Sequence, residues 1–193
     1  MTTSDTVVLN WPSSEPGVLE RAQRGDLTAL EALYRTFERR IYGLALRILG
    51  RPEDAEEVLQ ETFLEVARSL PRYRGDGPLW GWIRKIAANK ALMHVRRESL
   101  READPLPLEL VGRDAGRSDR LDLEGALAKL EPKARAVVWL HDVEGMTHRE
   151  IAELTGRSES FSKSQLSRAH ARLRRLLQPE PTRHTASPGG LDS

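Results

Sequence analysis

Three long stretches of this chain repeat apolar residues at helical spacing, and that repetition limits the fold more than any other feature. In the first the series is Leu30, Leu33, Tyr34, Phe37, Ile41, Leu44, Ala45 and Ile48, a continuous stripe that predicts one helix over 27–49. Asp26 caps its start and Gly50 suits the left-handed residue that ends it. Before it, Val18–Arg24 reads as a short helix ended by Gly25. Pro52 opens the second stretch, where Ala55, Val58, Leu59, Thr62, Phe63, Val66 and Leu70 mark the apolar side. Residues 71–77, PRYRGDG, break the pattern. Pro78 then starts the third, with Leu79, Trp82, Ile83, Ile86, Ala87, Leu92, Met93 and Val95, to about Arg97. Striped helices must bury their apolar sides against one another, so the fold class is all-α.

Charge separates the second stretch from the third. Glu53, Asp54, Glu56, Glu57, Glu61 and Glu65 crowd the second, with Arg68 near its end. Acids early and a cation late complement the helix dipole. A solvated face and a docking face for a basic protein partner both remain open. The third carries Arg84, Lys85, Lys90, Arg96 and Arg97, with Trp80 and Trp82 at its start. Aromatics stack on bases while cations track phosphates, so this helix and the loop before it form a candidate single-strand nucleic-acid surface. Asn89 sits mid-helix, where its propensity is poor, and invites a polar task.

Residues 98–120 hold Pro105, Pro107, Gly112 and Gly116 without sustained periodicity and read as an interdomain linker. Beyond it, Asp122 is expected to cap a helix to about Leu130, and Pro132 to open another through Val143. Gly145 ends that one. Thr147-His148-Arg149-Glu150 is a capping box, opening a short helix that Gly156 stops. Ser158 caps a long basic helix to about Leu177. A short helix, a tight turn and a longer basic helix form the helix-turn-helix pattern. Formal net charge is only +1, yet between 157 and 175 Arg157, Lys163, Arg168, Arg172, Arg174 and Arg175 face Glu159 alone. Such clustering is the electrostatic footprint of nucleic-acid binding.

Chemistry is harder to find. The chain has no cysteine, which excludes disulfides, thiolate zinc sites and cysteine nucleophiles. Its five histidines show no metal spacing, and His141 and Asp142 are expected to diverge on a helix. There is no phosphate-cradling loop and no nucleophile elbow. No enzyme activity, cofactor or metal is expected. The N-terminus lacks the features of a signal peptide, and no stretch approaches the ~20 apolar residues of a membrane span, so no membrane insertion is expected.

Two segments resemble a known family. DAEEVLQETFLEVA followed by YRGDGPLWGWIRKIAANKALMHVRR is similar to region 2 of bacterial sigma factors of the extracytoplasmic-function (ECF) group, in the sigma-70 superfamily. HDVEGMTHREIAELTGRSESFSKSQLSRAHARLRRLL resembles their region 4. The resemblance implies two small helical domains joined by a flexible linker. Region 2 would occupy 16–98, the linker 99–121 and region 4 122–178. A flexible arm over 1–15 and a disordered tail over 179–193 would flank them. It implies a cytoplasmic protein that binds core RNA polymerase and promoter DNA, with an anti-sigma factor as a further partner. Asp54, Glu57, Gln60 and Glu61 would meet the β′ clamp helices of the polymerase. Tyr73, Arg74, Trp80, Arg84, Lys85, Asn89, Arg96 and Arg97 would open the −10 element and capture a flipped base. Arg149, Arg157, Ser160, Lys163, Ser164, Gln165, Arg168 and Arg172 would meet the −35 duplex.

There are departures. The family often has Asp where this chain has Met93. Its usual Gly-Thr-Val-Lys-Ser-Arg at the recognition helix is Ser160-Phe161-Ser162-Lys163-Ser164-Gln165 here. Gln favours adenine edges where Arg favours guanine, so an unusual −35 preference is expected. An ordinary helix-turn-helix regulator and a sigma-like decoy remain the alternatives.

Overall fold

The computed structural model describes residues 17–101 and 119–177. The expected arm at 1–15, most of the linker at 99–121 and the tail at 179–193 lie outside the described residues. Everything regular among the described residues is helical.

Four helices form the first half: α1 (Val18–Gln23), α2 (Leu27–Leu49), α3 (Pro52–Ser69) and α4 (Leu79–Arg101). Asp26 caps α2 by accepting from the amides of Thr28 and Ala29, at 2.9 and 3.2 Å. Gly50 ends α2 at φ 79°, and Pro52 starts α3 two residues later. The α2 stripe is fully sealed, with Leu33, Ile41 and Ile48 at 0% exposure. A 3₁₀ turn, Leu70–Arg72, stops α3 where Pro71 stands. The helix α4 outruns expectation by a turn, ending at Arg101.

The second half holds α5 (Asp119–Ala128), α6 (Pro132–Val138), α7 (His148–Thr155) and α8 (Glu159–Leu177). Asp122 does not cap α5, which starts three residues earlier, at Asp119. The capping box of α7 is complete: the Glu150 amide donates to Thr147 Oγ1 at 3.2 Å, and the Thr147 amide to Glu150 Oε2 at 3.0 Å. Ser158 caps α8 by accepting from the Phe161 amide at 3.1 Å.

Between α6 and α7 lies a turn that periodicity did not announce. Trp139–Val143 is π-helical, with the Glu144 amide donating to the Trp139 carbonyl at 3.0 Å. A widened turn reduces the angle between successive side chains and is often found at functional sites. His141 and Asp142 therefore do not diverge: Nδ1 of His141 meets Oδ1 of Asp142 at 2.8 Å.

The halves are not held apart. One apolar cluster runs through both, with α6 on α2 and α7 on α4. Arg135 locks the junction. Its Nε donates to the Ile48 carbonyl and its Nη2 to the Leu49 carbonyl, both at 2.9 Å. These are among the last carbonyls of α2, which have no partner within the helix. The guanidinium also closes on Gly50, where a Cβ would lie 3.2 Å from Nη2. Gly50 is thus required twice, by its left-handed backbone and by the space Arg135 occupies.

Candidate nucleic-acid interface

The helix α4 is sealed on one side by Ile83, Ala87, Ala88, Ala91 and Val95. Its polar side faces two directions. Toward α3, Lys90 reaches Glu61 at 3.8 Å, and Arg97 reaches Glu57 at 3.9 Å and Glu61 at 3.8 Å. Toward α7, Lys85 pairs with Glu150 at 3.1 Å. Arg84 donates to the Glu144 carbonyl, and Arg96 to the carbonyls of Thr155 and Leu154 at the end of α7. The termini of short helices supply free carbonyls, and here cations of α4 satisfy them.

At the middle of this face is an open cleft of about 540 Å³, with Trp82, Lys85, Ile86, Asn89 and Lys90 on the α4 side. Its opposite wall is Glu150, Glu153 and Leu154 of α7. Asn89 is exposed and lines it, as its poor helix propensity suggested. A second cleft, about 480 Å³, runs along residues 72–78 to Trp82, Arg84 and Glu150. The Tyr73 ring packs against Trp82 at a 38° tilt with centroids 5.1 Å apart, and its hydroxyl donates to the Gly77 carbonyl. Burial pushes the Tyr73 phenol upward, and Asp76 adds to that. Arg74 is exposed and pairs with Asp76 at 3.3 Å. Trp80 lies elsewhere, stacked on Phe37 at 5.9 Å with Arg40 4.0 Å from its ring centroid.

Asp54, Glu57, Gln60 and Glu61 line one side of α3 at helical spacing. Glu57 and Gln60 are exposed, while Asp54 and Glu61 are half-buried. Asp54 pairs with Arg51 at 3.4 Å. Cations from α4 touch Glu57 and Glu61, so part of this acidic face is neutralised within the fold.

The helix α8 presents a different surface. Leu166, Ala169 and Leu173 bury its inner side, while Ser160, Lys163, Ser164, Arg168 and Arg172 are exposed and Gln165 is half-buried. Their contacts are local: Lys163 lies 3.9 Å from Glu159, and Arg168 donates to Ser164 Oγ at 2.7 Å. Arg157 lies over Phe161 at 5.7 Å, and Arg149 near Glu153 at 3.9 Å. The first half makes none of these contacts.

Residues 33–101 match the family profile of sigma-70 region 2, and residues 120–173 that of sigma-70 region 4. The chain is 33% identical over 180 residues to the ECF RNA polymerase sigma factor SigE of Mycolicibacterium smegmatis, spanning 86% of this chain and 70% of that one. The chain belongs to the ECF group of the sigma-70 family. With the RNA polymerase sigma factor CarQ of Myxococcus xanthus it shares 34% identity, over 82% of this chain and 95% of that protein. Among solved structures, the fold matches the sigma factor RpoE bound to the anti-sigma factor NepR, from Bartonella quintana. That match has a TM-score of 0.56 and 22% identity, over 81% of this chain and 97% of that chain. It also matches CnrH in complex with the cytosolic domain of CnrY, with a TM-score of 0.53 and 24% identity, over 83% and 94%.

As a sigma factor, the protein directs promoter-specific initiation by RNA polymerase. Members of this family are generally not enzymes. No helix among the described residues is long and apolar enough to cross a membrane. Two residues at the junction carry no clear signal in the sequence. Arg135 is one, because its acceptors are backbone carbonyls 86 and 87 residues away. The only available signal was a cation inside the apolar run of α6. Glu144 is the other. Burial pushes its carboxyl upward, while Arg84 and Arg40 pull it down.

Proposed function

We propose that region 2 spans 16–98 and region 4 122–178, and that the chain uses them as a bipartite promoter reader. Asp54, Glu57, Gln60 and Glu61 dock on the β′ clamp helices of core polymerase. The face of α4 and the loop before it open the −10 element, with a base flipped into the cleft at Asn89. An amide that can donate and accept, a tryptophan wall and two cations suit a base and its phosphate. The helix α8 reads the −35 duplex from its N-terminal turns, with Arg149, Arg157 and Arg172 on phosphates. The reading carries no catalytic step and places the protein in the cytoplasm with its polymerase.

The observation that carries this reading is the cleft at Asn89, because its far wall is α7. In the closed chain Glu150 pairs with Lys85, and Arg84 and Arg96 are held by region 4. Part of the −10 face is therefore engaged by the chain's own second half. Binding to core polymerase separates the halves and uncovers it. An anti-sigma factor, like those bound to the neighbouring sigma structures, would hold the chain away from polymerase.

Transcription in vitro tests the reading. Purified bacterial core polymerase, this protein and a library of promoter fragments are combined and the transcripts sequenced. Promoter-specific starts are expected, lost on Asn89→Ala and weakened on Lys163→Ala. Tight duplex binding by the protein alone, with neither transcripts nor core binding, would make it an ordinary helix-turn-helix regulator.

A further inference from the structure

Ser162 is fully buried, at 0% exposure, on the inner side of α8 with Leu166, Ala169 and Leu173, and it immediately precedes the exposed Lys163 and Ser164. Its hydroxyl shares a hydrogen bond with Nδ1 of His148, the first residue of α7, at 3.0 Å. The His148 ring stacks on His141 of the π-helical turn, with centroids 4.5 Å apart and planes 22° apart. His141 is bonded to Oδ1 of Asp142 at 2.8 Å, and Oδ2 of Asp142 accepts from Nε2 of His170 at 2.6 Å. His170 is back on α8, two turns beyond Ser162. The chain of contacts thus leaves α8 at Ser162, crosses α7 and the π-helical turn, and returns to α8 at His170.

We propose that this polar chain is a positioning device that sets the angle of α8 in the −35 groove, with Ser162 and His148 as its working contact. Apolar packing at Leu166, Ala169 and Leu173 holds α8 down but lets it rotate, because apolar contacts are non-directional. A hydrogen bond at one end and a carboxylate contact at the other restrict rotation about the helix axis. Lys163 and Ser164 follow Ser162 directly, so a small rotation there displaces the side chains offered to the bases. The electrostatics agree. Burial, then His141 and Lys163, pull His148 downward, which keeps it neutral and able to share the Ser162 hydrogen bond at neutral pH. Asp142 is raised by burial, but hydrogen bonds from His170 and His141 hold it below the usual range, so it stays an acceptor. Glu159 and Asp142, which pull it upward, are the other charges facing His148.

The device rests on the reading that α8 meets the −35 element, and the experiment separates the two. Thr and Val have the same shape, and only Thr keeps the hydroxyl. Holoenzymes of the full chain, Ser162→Thr and Ser162→Val with core polymerase are selected on promoter duplexes randomised over the −35 hexamer. Wild type and Ser162→Thr are expected to enrich the same sequence. Ser162→Val should enrich it about fivefold to tenfold less, the effect of one buried hydrogen bond on base discrimination. His148→Ala should lose as much, and the double variant His148→Ala/Ser162→Val no more than either single. Melting curves accompany each variant, and if Ser162→Val does not fold, His148→Ala carries the test. Equal enrichment by Thr and Val variants, or additive losses in the double variant, would overturn the device while leaving −35 reading intact. No enriched hexamer for wild type, with initiation still promoter-specific, would overturn both.

Discussion

The two basic helices of this sigma factor are alike in composition and opposite in circumstance. In α4 the cations are engaged: Arg84, Lys85 and Arg96 by region 4, Lys90 and Arg97 by the acids of α3. In α8 Lys163, Arg168 and Arg172 stand exposed and touch only their own helix, if anything. On the proposed reading, the cations of the −10 face are engaged within the fold, whereas those of the −35 face are open. Non-specific electrostatic binding scales with free cations, so on this reading the closed chain is expected to retain weak attraction to duplex through α8 while the cations of α4 are engaged. Composition alone does not distinguish a free cation from an engaged one.

Breaking the seam should erase the difference. Arg135→Ala leaves the Ile48 and Leu49 carbonyls buried without donors, at a cost of about 2–4 kcal/mol and a matching fall in melting temperature. The same change should raise affinity of the free chain for a single-stranded −10 oligonucleotide by about tenfold, since roughly 1.4 kcal/mol of closure need not be overcome. Affinity for a −35 duplex should be unchanged. Equal gains on both DNAs would mean that the seam covers neither face selectively.

A smaller perturbation addresses one side only. Arg172→Ala should weaken duplex binding uniformly across sequences and lower the salt slope by about one, as loss of a single phosphate contact does. Single-strand binding should not respond. Measuring both across a salt series separates an open phosphate contact from an engaged cation.

The smallest effect is a pH dependence at Glu150. Its carboxyl is held below the usual range by the hydrogen bond from the Thr147 amide, with Lys85 adding and burial opposing. Its contribution to stability is thus complete above the unfolded value near 4.5 and is lost as pH falls through the lower folded value. Glu150→Gln should melt below wild type at pH 6, and the two curves should converge as pH drops below 4.5. A constant offset would show that the charge of Glu150 is not what holds it.

Local chemistry was readable wherever a residue acts on its own neighbourhood. Asp26, Gly50 and Pro52 bounded α2 and α3 correctly because caps and stops work within a few residues. The Thr147–Glu150 box and the Ser158 cap were legible for the same reason. Asp122 was not the cap expected, because α5 begins at Asp119. The π-helical turn was hidden: it needs one carbonyl to skip to the fifth amide, which no apolar period records. Its consequence, the meeting of His141 with Asp142, was hidden with it. Ser162 occupies a core position of α8, and its partner His148 lies on another helix, so nothing local in the sequence marks the contact. Arg135 and the whole seam depend on contacts between distant segments, where polar side chains meet backbone carbonyls that carry no sequence signature.

On the proposed reading, the −10 face is held against region 4 in the free chain and released on polymerase. The absence of native cysteine makes paired labelling clean. Arg24→Cys in the first half and Lys129→Cys in region 4 stand at exposed positions outside every interface described. Energy transfer between dyes on this pair should be high for the free chain, fall on adding core polymerase, and be low without polymerase in Arg135→Ala. High transfer that persists in a transcribing complex, or low transfer in the free wild-type chain, would contradict the account.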